Sequence, residues 1–377
     1  MKKWANYRRI LKLINGCVMT LILSNEDIEK ILKMDDLVPA LEDAYLELIE
    51  GRGGNRLRSD IVTPTTQRED GLYALKSMDG VIPKFGIGAV RLNSDILTFP
   101  QTGNEMRRVK MPAAPGNRYV GLVLLFSTHT GEPLVICPDG VMQRARVGAT
   151  NAIASKYMAK EQVEVLAVLG SGWQAGAAVS GHAFVHELKE VRVYSPNKEN
   201  REAFVRDLSE QTDLIVRACE SGEEACRGAD SVACATNAVN SVFFREWIEP
   251  GMHIGTIRPG ATEVDRSAWD DIDVFALLDH DDNCNLIYTH GVQVGEDKVG
   301  SYHVEHDDWH AKLPSLPQII GRKRKGRTEE SQVTCFFNNL GMGYQFAAAG
   351  YVVHKRAVEL GLGHELPTDW FTETVHP

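Results

Sequence analysis

The feature that most restricts this chain is an apolar run, Val163-Glu164-Val165-Leu166-Ala167-Val168-Leu169, that passes directly into Gly170-Ser171-Gly172-Trp173-Gln174-Ala175. Small residues follow in helix-forming context, among them Ala177, Ala178, Val179 and Ala183. This is the pattern of a strand, a tight glycine turn and a helix built to hold a pyrophosphate. Gly170 permits the turn and Gly172 lets the backbone approach the phosphates. Ala175 lets helix and strand pack closely, and the helix N-terminus faces the anion. A second strand, Val191-Arg192-Val193-Tyr194-Ser195, lies at the distance a dinucleotide-binding unit requires. Such strands commonly end in an acid that binds the adenine-ribose hydroxyls. Here Ser195 stands there, followed by Asn197, Lys198 and Arg201, which favours a 2′-phosphate and hence NADP over NAD. Glu199 and Glu202 lie close enough to keep NAD as the alternative.

Around this motif the chain divides. Ser24 or Asn25 caps a first helix carrying Ile28, Ile31 and Leu32, and a second carries Leu41, Ala44, Tyr45 and Leu48 on one face before Gly51. Strand-like runs then recur at Asp60–Thr63, Leu72–Lys76, Gly88–Leu92 and Val120–Phe126, with turn residues between them, as in a mostly antiparallel sheet. Residues 149–159 read as a helix. Beyond it short apolar strands alternate with helices, the mark of a parallel α/β sheet. Residues 333–360 read as a final helical region. The expected architecture is α/β: residues 149–331 a Rossmann domain, residues 19–148 and 332–377 a smaller α+β substrate and dimerisation domain, and residues 1–18 an extension.

Composition excludes several classes. A chain of 377 residues with a net charge of −10 carries no general nucleic-acid footprint. The basic run Arg322-Lys323-Arg324-Lys325, with Arg327, reads as a solvated loop. Seven scattered cysteines without a CxxC pair fit a reducing cytoplasm and argue against structural zinc. No apolar stretch reaches membrane-spanning length, and the basic N-terminus lacks the features of a signal peptide, with Met19 a possible start. The segment His303-Val304-Glu305-His306-Asp307-Asp308-Trp309-His310 matches no common zinc spacing and reads as a charged loop, so no metal is expected. Asp279 at a strand end reads as a helix cap. Neither a G-x-S-x-G elbow nor a Gly-x-Gly-Lys phosphate loop occurs, which leaves hydrolase and nucleotidase readings without support.

Further segments carry a resemblance. Leu21–Asp27, Arg146 followed ten residues on by Lys156-Tyr157, the Gly170–Ala175 turn, Ala235-Thr236-Asn237-Ala238, Trp247–Ile254 and Gly361–Pro367 together resemble the ornithine cyclodeaminase and mu-crystallin family, over residues 19 to about 372. The resemblance implies a homodimer with a Rossmann domain inserted in a substrate domain, acting at carbon–nitrogen bonds of small amino or imino acids. It places Lys76, Arg146 and either Arg56 or Arg58 around a substrate carboxylate, with Lys76 also able to move a proton. Guanidinium forks and an ammonium suit that task. Thr236 and Asn237 would lie near the ribose or nicotinamide.

Two departures bear on the reaction. The cyclodeaminases carry an aspartate before a Pro-Gly pair and a lysine after it, but here Ile257 and Ala261 stand in those places around Arg258-Pro259-Gly260. An isoleucine cannot exchange a proton, so cyclodeamination loses its acid–base group. The 77–118 segment is also long for the family, and its Arg91, Asn93, Asp95 and Arg107-Arg108-Val109-Lys110 would suit an acidic substrate. The expected activity is NAD(P)H-dependent reduction of a carboxylate-bearing imine, or amino-acid dehydrogenation in reverse. The alternatives are a cyclodeaminase-type lyase, an N-substituted amino-acid synthase, and a binding protein that holds NADP and a small ligand without turnover.

Overall fold

The computed structural model describes residues 19–66, 71–102, 105–106, 109–238, 240–258, 262–280, 284–292 and 309–375. Ser24 caps the helix Asn25–Ile31 reciprocally with Asp27. The helix Met34–Ile49 buries Leu37, Leu41, Ala44 and Tyr45 and ends at Gly51 in the left-handed conformation. A nine-stranded sheet follows the order Asn285–Tyr288, Gly54–Pro64, Leu72–Ile82, Ile87–Thr98, Val120–Ser127, Pro133–Pro138, Met19–Ile22, His364–Pro367, with Val109–Met111 paired to the Ile87–Thr98 strand. Its middle is an antiparallel meander, in which Lys76 pairs with Asn93 and Asn93 with Gly121.

Seven parallel strands form the second sheet: Ile215–Ala218, Glu190–Tyr194, Val165–Leu169, Ser231–Cys234, His253–Thr256, Thr334–Phe337 and Val274–Leu277. The order turns back between Val165–Leu169 and Ser231–Cys234. Open parallel sheets bind ligands at such a switch point, outside the carboxyl ends of the strands. The architecture is therefore the α/β class that the strand–helix alternation indicates.

The helix Gly140–Met158 lies between the two sheets, with thirteen buried residues from Val141 to Met158. It begins at 140, not 149, because Gly140–Gly148 already pack inside. The C-terminal region opens with a strand, Thr334–Phe337, before the helix Gly343–Leu360, so residues 333–360 are not all helical. That strand is fully buried within the parallel sheet, where so short a run, one threonine and three apolar residues, cannot be told from helix by periodicity. Conversely, Asn285–Tyr288 extends the other sheet by pairing with Gly54–Pro64. Asp279 is followed among the described residues by this strand and not by a helix to cap. Residues 281–283, 293–300 and 301–308 lie outside the described residues, and with them most of the histidine-rich segment. Arg327 is not a solvated cation: it donates to the Met158 carbonyl at 2.8 Å and the Gly251 carbonyl at 3.0 Å. Among the described residues no helix is long and apolar enough to cross a membrane, and no histidine, cysteine or carboxylate group is placed to hold a metal.

Burial holds His182, His186 and His354 down to about 4, and it also pulls His253 well below the usual histidine range. Unfolded histidine binds its proton near 6.5. Below that pH the unfolded chain takes up more protons than the folded one, so stability is whole above about 6.5 and falls as pH drops toward 4. Urea midpoints measured between pH 7.5 and 4.5 should decline steadily below 6.5; a flat profile across that window would show that these rings are not held neutral.

Candidate active site

At the Val165–Leu169 strand end, Gly170 has φ 125° and donates to the Tyr194 carbonyl at 2.8 Å. A side chain there would overlap the Ala235 carbonyl. Gly172 faces open space and begins the helix Trp173–Val185 without any side-chain cap, which leaves the first amides of the helix unsatisfied by side chains. Ala175 is buried under the strand, while Ser171 is half-buried. The Gln174 Oε1 atom is buried without a hydrogen-bond partner. Trp173 is exposed beneath the Arg144 guanidinium, 5.1 Å from the ring centre. The glycine cradle and the uncapped amides together fit a dinucleotide pyrophosphate, while the orphaned Gln174 oxygen is an acceptor and suits a donor such as a ribose hydroxyl.

The neighbouring positions divide. Ser195 closes the Glu190–Tyr194 strand and its carbonyl accepts from Arg201 at 2.9 Å. Arg201 is buried and also pairs with Glu220, so it is already neutralised. Asn197 caps the next helix through the Asn200 amide, and Lys198 stays exposed, 3.7 Å from Glu202. Asn237 is exposed, but the Thr236 amide and hydroxyl both donate to Glu263 Oε1 at 3.1 Å. The other Glu263 oxygen accepts from the Ile257 and Arg258 amides at 2.8 and 3.1 Å. This buried carboxylate staples the ends of two adjacent strands at the switch point. Burial outweighs its four hydrogen bonds and raises its pKa above the usual glutamate range. Sequence reasoning missed Glu263, which lies 27 residues from Thr236 in a segment without periodicity. Ile257 offers no group for proton transfer, and Pro259, Gly260 and Ala261 lie outside the described residues.

Across the helix Gly140–Met158, the antiparallel sheet presents a face of buried charge. Arg58 and Asp60 form a two-fold hydrogen-bonded pair at 2.7 and 2.6 Å. Arg56, by contrast, is exposed and pairs with Asp79, whereas the buried Arg58 is paired with Asp60, the cross-strand neighbour of Lys76. Lys76 is 2% exposed and meets Asp95 at 2.6 Å. Arg91 meets Asp139 at 2.6 Å and Gln143 at 2.6 Å, and Asn93 donates to the same Asp139 oxygen at 2.8 Å. Arg91 and Lys110, two of the cations that recommended an acidic substrate, are thus already paired, the second with Asp95. Arg107 and Arg108 lie outside the described residues.

Arg146 differs from all of these. It is buried in the second turn of its helix, and its Nη1 donates to Gln345 Oε1 at 3.1 Å. Among the described residues no carboxylate pairs with it and its Nε has no partner. Burial, and then the nearby Arg91 charge, pull it down to about 10. Gly341 makes room for its guanidinium, since a side chain there would overlap it. Gln345 is itself tied to Tyr45 and Thr150, each at 3.0 Å. The Phe346 ring lies 5.5 Å from Arg146 and 5.4 Å from Arg91.

A parallel sheet with a pyrophosphate cradle, joined to a second sheet by a helix that carries the buried Arg146, defines a dinucleotide-binding protein. Residues 100–361 match the ornithine cyclodeaminase/mu-crystallin family, and the chain belongs to it. Ketimine reductase mu-crystallin of Macropus fuliginosus is 27% identical over 88% of this chain and 96% of that protein. Thermococcus litoralis Delta(1)-pyrroline-2-carboxylate reductase, solved with NADH and L-proline, superposes with a TM-score of 0.73 at 23% identity, covering 92% of this chain and all of that one. An archaeal alanine dehydrogenase dimer with bound NAD superposes at 0.71 and 22% identity, over 92% of this chain and 99% of that one.

Glu263→Gln retains one acceptor oxygen but turns an amide toward backbone N–H groups. It should cost about 1–3 kcal/mol in urea unfolding, the usual penalty for unmet buried donors, and weaken dinucleotide binding in fluorescence titration. Unchanged stability and binding would show that the staple is dispensable.

Proposed function

We propose that this protein is an NAD(P)H-dependent reductase of a small carboxylate-bearing imine, working in reverse as an amino-acid dehydrogenase. The observation that carries the reading is Arg146: Arg58, Lys76 and Arg91 each have an internal carboxylate, and Arg146 has none. A buried guanidinium is costly until an anion pairs with it, and a substrate carboxylate supplies that anion in bidentate geometry. Relatives named as ketimine and pyrroline-2-carboxylate reductases support the same chemistry.

Gly170, Ser171, Gly172, Gln174 and the uncapped helix would hold the dinucleotide. When bound, a reduced nicotinamide supplies hydride to the imine carbon. Arg146 fixes the carboxylate, so the imine carbon is presented in one orientation, a large part of the rate. Lys76 holds positive charge beside the imine nitrogen and donates the proton that nitrogen requires, while Arg58 and Arg91, each paired with its own carboxylate, line the wall without adding net charge. Ser195 offers no carboxylate to a ribose and Lys198 is exposed beside it, so NADPH is the proposed partner, with NADH the alternative. The division into a cofactor unit around the parallel sheet and a substrate unit around the antiparallel one follows the same reading. Six buried free cysteines fit a reducing cytoplasm.

The assembly is proposed to be a homodimer. The outer face of the antiparallel sheet exposes Leu57, Ile61, Leu75, Val120, Leu122 and Ile287, with Ile61 beside both Leu75 and Ile287. So broad an apolar face calls for a cover, and one relative's structure is a dimer. Sedimentation should show a dimer for the native chain and a monomer for Ile61→Glu/Leu75→Glu; a native monomer would refute the assembly.

Oxidation of NADPH and NADH at 340 nm, with cyclic imino acids and with 2-oxo acids plus ammonia or methylamine, tests the activity. Consumption should require the imine. Arg146→Leu should cost about 3 kcal/mol, roughly a hundred-fold in kcat/KM, as loss of one partner of a buried charge pair does. An active enzyme indifferent to Arg146→Leu would remove the carboxylate pocket.

A further inference from the structure

We propose that Asp95 and Lys110 form the path by which protons reach Lys76 from solvent. The inference rests on the reading of Lys76 as the proton donor to the imine nitrogen. Reduction of a neutral imine forms one C–H bond from hydride and one N–H bond from a proton, so every turnover takes a proton from Lys76. At 2% exposure, its ammonium group has little access to bulk water to recover that proton.

The surrounding geometry supplies a connection. Lys76 Nζ lies 2.6 Å from Asp95 Oδ2, and Lys110 Nζ lies 3.0 Å from the same oxygen. Asp95 is 3% exposed, whereas Lys110 is 44% exposed at the rim. Strand register produces this alignment. Asp95 stands two residues beyond Asn93, the partner of Lys76, and therefore on the same face of the sheet, while Lys110 comes from the short strand paired beside Leu97. One carboxylate oxygen thus bridges a buried and an exposed ammonium. Burial alone would raise the Asp95 carboxyl, but the two lysines outweigh it and hold it below the usual range, so it rests as an acceptor for both.

The transfer balances. The Lys76 N–H bond breaks as the product N–H bond forms, leaving a neutral amine on Lys76. A proton then passes from Lys110 Nζ to Asp95 Oδ2 and from Oδ2 to Lys76 Nζ. Asp95 ends as the carboxylate it began, and Lys110 recovers its proton from water. A carboxylate serving only as a counter-ion to Lys76 would have no need of the second, solvent-facing lysine on the same oxygen.

The test uses the full chain, NADPH and a preformed cyclic imino acid, comparing Lys76→Met, Asp95→Asn and Lys110→Met. Lys110 is 44% exposed and its loss leaves Asp95 paired with Lys76, so Lys110→Met should keep near-native stability, KM and cofactor affinity. Its kcat in dilute buffer should fall about tenfold, less than the roughly 10²–10⁴-fold that loss of the donor itself would cost. Its solvent deuterium isotope effect should rise, and imidazole buffer should restore the rate. A structural role would not respond to imidazole. Native kcat and isotope effect in Lys110→Met, alongside an inactive Lys76→Met, would overturn the relay while leaving Lys76 as donor. Native activity in Lys76→Met would overturn both.

Discussion

Buried charge governs this structure more than any other interaction. The inner face of the antiparallel sheet holds Arg58, Asp60, Lys76, Arg91 and Asp95, all at or below 7% exposure, and Arg146 enters from the adjoining helix. Removing such groups from water costs several kcal/mol apiece unless each finds a partner. Three pairs meet that requirement at 2.6–2.7 Å. Their mutual neutralisation makes the fourth cation informative: the fold could have placed a carboxylate against Arg146 and instead placed a glutamine. Gln345 orients the guanidinium and leaves its charge uncompensated. The surrounding pairs raise the cost of any rearrangement that would let Arg146 leave.

The two halves of the site are joined by the same helix. Gly140–Met158 carries Arg146 and Gln143 toward the antiparallel sheet, while its buried length packs against the parallel strands. Arg144, on the same helix, lies over Trp173 at the start of the pyrophosphate turn. On the proposed reading, one rigid rod thereby fixes the orientation between the cofactor ring and the substrate carboxylate. Glu263 performs a comparable task on the cofactor side, holding the strand ends that flank the cleft.

Much of this was legible before any coordinates, and the reasons differ by residue. The glycine turn is local: strand, turn and helix lie within about twenty residues and each has its own signal. Lys76 and Arg146 were reached through resemblance, since single basic residues look alike in a sequence. Their partners were not reached, because Asp95, Asp139, Glu263 and Gln345 meet their cations or donors only through the fold, at separations from 19 to 199 residues. The strand Thr334–Phe337 was missed because a buried threonine followed by three apolar residues carries no period. One signal was present and went unused. In Arg91-Leu92-Asn93-Ser94-Asp95-Ile96 the polar side alternates with a side that is apolar except at Ser94, which would ordinarily point the charges outward.

The sheet does the reverse, and that inversion links pocket and assembly. Arg91, Asn93 and Asp95 face inward and are buried, whereas Leu92 and Ile96 face outward, among the same strands whose Ile61, Leu75 and Leu122 are exposed. A one-residue slip would exchange the two faces, so the register is strongly specified. A polar interior is stable only if its charges pair or await a ligand, and an apolar exterior only if something covers it. On the proposed reading both demands are met together: the substrate completes the inner face through Arg146, and a second copy covers the outer one. Covering the outer face also stiffens the strands that carry Lys76, Asp95 and Arg91. A dimer would then support catalysis through the rigidity of its shared sheet, without lending a side chain to the reaction.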